Sequence, residues 1–220
     1  MIYVLADIHG CKSRFDDILR RINLRAEDHL YVLGDCIDRN PHGLTILQAL
    51  LAMPNATVLL GNHEHMMLEA LTLPDDDRAL IGRWYRNGGD ITHARYNALP
   101  EVERDSLLDA IRRLPVNVPV SCGGREFLLV HGAPFGVGSR YADPVKNSVW
   151  HRFTAEDAMP DGPTVIFGHT PTSHYQSDAP MRIWHGRNMI GIDCGCAYPD
   201  GRLACLRLDD MREFYSSDEP

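Results

Sequence analysis

A chain of 220 residues, 44% of them hydrophobic, can bury a sizeable core within one domain over residues 1–220, and its formal charge of −8 argues against nucleic acid held by bulk electrostatics. Met1 leads straight into a strand-like run, which leaves no room for a signal peptide, and no apolar run reaches the length of a membrane span. The expected setting is cytoplasmic, without membrane or nucleic-acid partners, and the six cysteines (Cys11, Cys36, Cys122, Cys194, Cys196, Cys205) are expected as reduced structural thiols.

The first strand-like run, residues 2–6, stops at Asp7-Ile8-His9-Gly10. Phe15, Ile18, Leu19 and Ile22 then fall at helical spacing, with Ser13 as the expected cap and Asp16 and Asp17 in the first turn. A second run, 30–33, stops at Gly34-Asp35, and Leu44, Leu47 and Leu51 mark a helix that begins after Asn40-Pro41. The third run, 57–60, stops at Gly61-Asn62-His63-Glu64 before a helix carrying Met66, Met67, Ala70 and Leu71. This alternation predicts parallel strands joined by right-handed crossovers. Residues 78–115 read as helical throughout: Trp84 precedes a stop at Asn87-Gly88-Gly89, and Val102, Leu107, Leu108, Ile111 and Leu114 form a stripe.

The second half reads as short strands at 116–121, 125–130, 164–167, 182–185, 189–193, 203–208 and 213–215, with hairpin signals at Gly123-Gly124 and Gly186-Arg187-Asn188. Residues 133–163, rich in Gly, Pro and charge, predict a long surface segment able to cover a cleft, and 216–220 read as disordered. An α/β half followed by a β-rich half predicts two packed sheets flanked by helices.

Five of these runs end in a residue able to ligate a metal beside a glycine; the fourth and fifth are 127–130 before His131-Gly132 and 164–167 before Gly168-His169. Strands of an open sheet bring their carboxyl ends to one edge, so these residues are expected to converge on a two-metal hydrolytic site. Two divalent ions about 3.5–4 Å apart can clamp a phosphoryl group, and they need hard oxygen and imidazole ligands with one residue shared between them. Asp7 and His9, on a chain turning at Gly10, suit one ion; the two oxygens of Asp35 suit the bridge; Asn62, His131 and His169 suit the other ion. Taken singly, Asp35 and Asn62 read as turn or cap residues, and His131 and His169 as hydrogen-bonded structural histidines. The fivefold repetition of one junction favours the joint reading, whereas His29, His42, His93, His174 and His185 follow no such run and are expected on the surface or in the core.

Together, Asp7-x-His9-Gly10, Gly34-Asp35-x-x-Asp38-Arg39, Gly61-Asn62-His63-Glu64, His131-Gly132 and Gly168-His169-Thr170 resemble the signature of the calcineurin-like metallophosphoesterases, in their phosphoprotein phosphatase branch. Ala6 departs from the Gly usual there, a small-for-small change. The resemblance implies an α/β four-layer α-β-β-α sandwich with two mixed sheets, and two divalent ions, Mn²⁺ first, with Fe or Zn²⁺ as alternatives. Carried over by position, Asp7, His9 and Asp35 resemble ligands of the first metal, and Asp35, Asn62, His131 and His169 those of the second. His63 resembles the general acid, Asp38 its carboxylate partner, Arg39 a phosphate clamp, and Arg152 in Trp150-His151-Arg152 a second phosphate-binding arginine. Glu64 and Asp193 are expected to orient neighbouring groups, with Cys36 and Cys194 near the metals.

Two substrate classes compete. Asp38 beside Arg39 and the segment Trp84-Tyr85-Arg86-Asn87-Gly88-Gly89 resemble bacterial and phage-type serine/threonine phosphatases, which implies a phosphorylated protein or peptide, with phosphotyrosine as an extension. The alternative is a dinucleoside polyphosphate such as diadenosine tetraphosphate, or another nucleotide. A metal-binding interaction module without catalysis is disfavoured, because binding alone has no use for His63, Asp38 and Arg39.

Overall fold

The computed structural model describes residues 1–72, 78–136 and 138–217. Strands β1 (Ile2–Leu5), β2 (His29–Val32) and β3 (Ala56–Val58) alternate with helices α1 (Lys12–Ile22), α2 (Gly43–Ala52) and α3 (Asn62–Thr72). Helices α4 (Arg78–Arg86), α5 (Asp90–Asn97) and α6 (Glu101–Arg112) follow. Then come β4 (Asn117–Cys122), β5 (Arg125–Val130), α7 (Pro144–Trp150), β6 (Thr164–Phe167), β7 (Trp184–Gly186), β8 (Met189–Gly191), β9 (Ala204–Arg207) and β10 (Arg212–Tyr215).

Two mixed five-stranded sheets result, in the orders β10-β9-β1-β2-β3 and β4-β5-β6-β8-β7. Three strands of each are parallel: β1, β2 and β3 at one side of the first, and β5, β6 and β8 in the middle of the second. The twofold side-chain period of a strand separates the two faces of β1. Val4 and Ala6 join Leu33 and Leu59 against Phe127, Leu129, Ile166 and Ile190 between the sheets. Tyr3 and Leu5 face the other way, into a core with Phe15, Ile18 and Ile22 of α1 and Ile46, Leu47 and Leu50 of α2.

Local expectations on the helices needed correction in phase. Ser13 lies inside α1 and caps nothing; Cys11 occupies the cap position, and the first turn holds no acid. In α2 the buried positions are Leu44, Ile46, Leu47 and Leu50, which leaves Leu51 38% exposed. In α6, Leu107, Leu108 and Ile111 are buried but Val102 is 80% exposed. The hairpin signals are observed: Gly123 and Gly124 both take positive φ between β4 and β5, and Asn188 does so between β7 and β8.

The outer face of the second sheet is covered mainly by irregular chain. Phe153, Met159 and Tyr175 pack onto Val165, Phe167, Trp184 and Met189, with the Phe167 ring edge-on to Phe153 at 4.9 Å. The segment expected as surface cover is therefore partly interior, and it includes α7, which Asp143 caps by accepting from the amides of Val145 and Lys146. Ser216 and Ser217 are ordered against expectation. Ser216 is buried and exchanges hydrogen bonds with Leu203, and Ser217 N–H donates to Asp17. Residues 218–220 lie outside the described residues. All six cysteines are free, and no described helix is long and apolar enough to cross a membrane.

Candidate metal centre

Each functional side chain follows a strand within a few residues. β1 delivers Asp7 and His9, β2 Asp35, β3 Asn62 and His63, β5 His131, and β6 His169. To turn side chains inward there, the backbone enters the left-handed region: φ is 55° at Asp7, 48° at His9, 53° at Asp35, 71° at Asp38, 67° at Arg39 and 66° at His169. Such conformations cost non-glycine residues roughly 1–3 kcal/mol each, and their clustering at one edge marks a place where geometry outranks local comfort. Two glycines permit the crowding. A Cβ on Gly61 would overlap the Asp35 carboxylate, and one on Gly168 would overlap that of Asp7.

All six expected ligands come together and are buried. Asp35 is central, with Oδ2 3.6 Å from His9 Nε2 and 3.8 Å from His63 Nε2, and Oδ1 3.5 Å from His131 Nε2. Donor atoms of His9, Asp35 and His63 lie within 4.8 Å of one another, as do those of Asp35, His131 and His169. Asn62 Oδ1 sits 2.9 Å from His131 Nε2 and 2.7 Å from His169 Nδ1. Asp7 joins the two halves from the side, its carboxylate accepting from His169 N–H at 3.0 and 3.1 Å.

The imidazoles are aimed by their remote nitrogens. His9 Nδ1 lies 3.0 Å from Ile37 O, His131 Nδ1 2.6 Å from Leu33 O, and His169 Nε2 3.3 Å from Trp150 O. A neutral imidazole has one N–H, so donating it to the carbonyl turns a lone pair into the site. For His131 and His169 that lone pair faces the Asn62 oxygen, which cannot donate. Three lone pairs converging at hydrogen-bond distance repel unless a cation lies among them.

The electrostatics agree. Burial pushes the pKa values of His9 and His169 well down and lowers that of His131, which keeps the rings neutral. Burial also opposes charge on Asp35, but His131, His63 and His9 around it outweigh that and hold its pKa far below the usual range. Burial, then the charges of Asp193 and Asp35, push Asp7 well up, and burial lifts Asp193 to about 6. A buried group of carboxylate, amide oxygen and neutral imidazole fits divalent cations such as Mn²⁺, Fe²⁺ or Zn²⁺.

Beside the ligands, His63 Nδ1 lies 2.6 Å from Asp38 Oδ2, and Trp84 Nε1 donates to the same oxygen at 2.8 Å. Burial lowers the His63 pKa, yet the Asp35 charge and the Asp38 hydrogen bond win and leave it raised. Arg39 Nη2 is 3.3 Å from His63 Nε2, and its guanidinium lies 5.8 Å over the exposed Tyr198 ring. Arg152 Nη1 donates to His169 O at 2.6 Å and to Thr170 Oγ1 at 3.0 Å, which places it at the rim of the second group. Glu64 accepts from the amides of Asp35, Cys36, Ile37 and Gly61 and so ties the ends of β2 and β3 together. Cys36 lies buried beside this group, its thiol pKa pushed up by burial and then by Glu64 and Asp35, whereas Cys194 belongs to the core between the sheets. Sequence reasoning missed Trp84 as a partner of Asp38, Thr92 as the acceptor for Asp38 N–H, and Tyr198 beside Arg39. The need of a buried indole N–H for an acceptor was the one available signal, and it pointed to Trp84.

A family profile described as calcineurin-like phosphoesterase matches residues 1–194, and the chain belongs to that family. That family is the metallophosphoesterases, which use divalent metals, and the described residues include two groups able to hold an ion. Among particular relatives, the chain is 34% identical over 213 residues to serine/threonine-protein phosphatase 1 of Salmonella typhimurium, covering 94% of this chain and 91% of that one. It is 26% identical over 245 residues to the asymmetrical bis(5'-nucleosyl)-tetraphosphatase PrpE of Halalkalibacterium halodurans, covering 97% and 92%. The chain spans about half the length of the symmetrical bis(5'-nucleosyl)-tetraphosphatases it matches, 43% for that of Acidovorax ebreus and 57% for that of Delftia acidovorans. The fold is shared with a protein serine/threonine phosphatase from Saccharomyces cerevisiae, with a TM-score of 0.64 at 13% identity over all of this chain and 81% of that one.

Proposed function

We propose that the protein is a cytoplasmic phosphomonoester hydrolase that dephosphorylates phosphoserine and phosphothreonine in proteins or peptides, with phosphotyrosine as a further substrate, using two divalent ions, Mn²⁺ first among them. Asp7, His9 and Asp35 would hold one ion, and Asp35, Asn62, His131 and His169 the other. Bound there, the ions supply Lewis-acid charge to the phosphoryl oxygens and lower the pKa of the attacking water.

The observation that carries this reading is the chain of Trp84, Asp38 and His63. Trp84 and His63 share one oxygen of a fully buried carboxylate, so the ring is fixed with Nε2 toward Asp35 and Arg39. A serine or threonine alkoxide leaves poorly and needs a proton; an imidazole with a raised pKa, held by a carboxylate, is suited to give it. Arg39 and Arg152 flank the centre and offer guanidinium edges to phosphoryl oxygens. A nucleotide leaving group departs without such help.

One feature favours a second reading, hydrolysis of dinucleoside polyphosphates. A cavity of about 690 Å³ adjoins Arg39, walled by Asn40, Pro41, His42 and Tyr198, and a nucleoside fits within such a volume. Measuring kcat/KM with Mn²⁺ on phosphoserine and phosphothreonine peptides and on diadenosine tetraphosphate decides between them. The expected result favours the peptides by at least ~10-fold, close to 1.4 kcal/mol of transition-state binding; the reverse preference replaces the first reading by the second.

A further inference from the structure

The same cavity has two cysteines in its wall, Cys11 from the segment after β1 and Cys196 from the segment after β8. The Cys11 thiol donates to Cys196 O at 3.3 Å across a separation of 185 residues, and Cys11 packs against the apolar cluster that includes Cys196. Cys11 is half-buried, with Asn40 Nδ2 donating to its sulfur at 3.2 Å, while Cys196 is 2% exposed.

Groups other than the cysteines hold this meeting in place. Buried Arg14, in the first turn of α1, donates from Nη1 to the carbonyls of Cys196 at 2.5 Å and Tyr198 at 3.1 Å, and from Nη2 to that of Pro199 at 3.4 Å. The segment it grips is closed on itself by Tyr198 N–H to Gly195 O at 2.8 Å and Arg202 N–H to Cys194 O at 2.9 Å. The Cys11 sulfur therefore touches the backbone of Cys196 between two fixed segments, and the entropy of closing so long a loop has already been lost in folding.

We propose that Cys11 and Cys196 are a modification site: a dithiol that an oxidant converts to a reversible disulfide at the edge of the metal centre. With hydrogen peroxide as oxidant, the Cys11 sulfur attacks the O–O bond, becomes a sulfenic acid and releases one water. The Cys196 sulfur then displaces the sulfenic oxygen as a second water, so the two thiols give up two protons and two electrons while one peroxide becomes two waters. Half-buried Cys11 is the sulfur that peroxide reaches, and buried Cys196 is the one that resolves it. An S–S bond of about 2 Å needs both segments to adjust, and Cys11 stands two residues after His9, so the adjustment reaches a proposed metal ligand. A shift of about 1 Å at an active-site segment can cost ~10²-fold in rate.

The test treats the full chain with peroxide, removes it, and only then adds Mn²⁺, which keeps metal oxidation out of the readout. The expected product has lost the mass of two hydrogens, yields a Cys11–Cys196 linked peptide, and turns over p-nitrophenyl phosphate at least ~10-fold more slowly until dithiothreitol restores it. Cys196→Ala, and Cys11→Ser should the first variant fold poorly, keep the turnover of the reduced protein and form no link. A link between other cysteines, no link at all, or a linked protein with unchanged turnover overturns the proposal.

Discussion

Asp35 faces His9 and His63 with one oxygen and His131 with the other, so its two oxygens have separate duties. Asp35→Asn replaces one of them by an NH₂ that cannot ligate; metal analysis should show less bound Mn²⁺, and phosphatase activity should nearly vanish. His63→Asn should separate chemistry from ligation: metal content stays, kcat falls by about 10²–10⁴, and the fall is smaller for p-nitrophenyl phosphate than for a phosphoserine peptide, because its leaving group needs less protonation. Equal losses on both substrates would remove the acid role. The sign of the pH effect follows from the same pair. His63 donates only when protonated, and its pKa is raised with help from Asp38. Asp38→Asn removes that help, the ring deprotonates at lower pH, and the alkaline fall of kcat should move to lower pH than in the parent protein. A limb that stays in place would unlink Asp38 from the proton donor.

At the scale of elements, the strand-to-ligand junctions were legible because the signal is local: an apolar run, a glycine and a ligand stand within a few residues. Phase and packing were less so. Leu51 and Val102 fit a helical stripe by spacing, but the buried faces are set by Leu44, Ile46, Leu47 and Leu50 in α2 and by Leu107, Leu108 and Ile111 in α6, which leaves both side chains exposed. The cover over the second sheet, built on Phe153, Met159 and Tyr175, has no period to read, because irregular chain buries residues one at a time. The bond from Trp84 to Asp38 spans 46 residues, with α2, β3 and α3 between them, beyond any window of spacing. Trp84→Phe keeps most of the ring in its buried place and deletes the donor. It should lower stability by about 1 kcal/mol and reduce kcat several-fold with little change in KM, as chemical denaturation and steady-state kinetics would show. An unaltered kcat would make the bond structural only.

At the scale of the whole molecule, the proposed ligands divide between the two sheets. Asp7, His9, Asp35 and Asn62 follow strands of the first, and His131 and His169 follow strands of the second. Ligand binding to the folded state alone stabilises it by about 2.7 kcal/mol at one hundred times Kd. For a chain of this size each kcal/mol moves Tm by roughly 2–4 °C, so chelation should lower Tm by on the order of 5–10 °C, and Mn²⁺ should restore it. A Tm indifferent to chelator would mean that the site holds no ion under the conditions used.

That division has a mechanical side. The inter-sheet core of Val4, Leu33, Leu59, Phe127, Leu129 and Ile166 is non-directional and lets the layers slide; ligation at the end of the seam does not. An ion gripped by Asn62 from one layer and His131 and His169 from the other would work as a rivet, and the two sheets could then part only by shearing it. With the rivet in place, amide hydrogens of β2 and β6 should exchange with one shared opening free energy; once it is drawn by chelation, β6 and its neighbours should open first and alone. Exchange that is uniform across both sheets in both states would mean that the packed interior, and not the ion, fastens the layers.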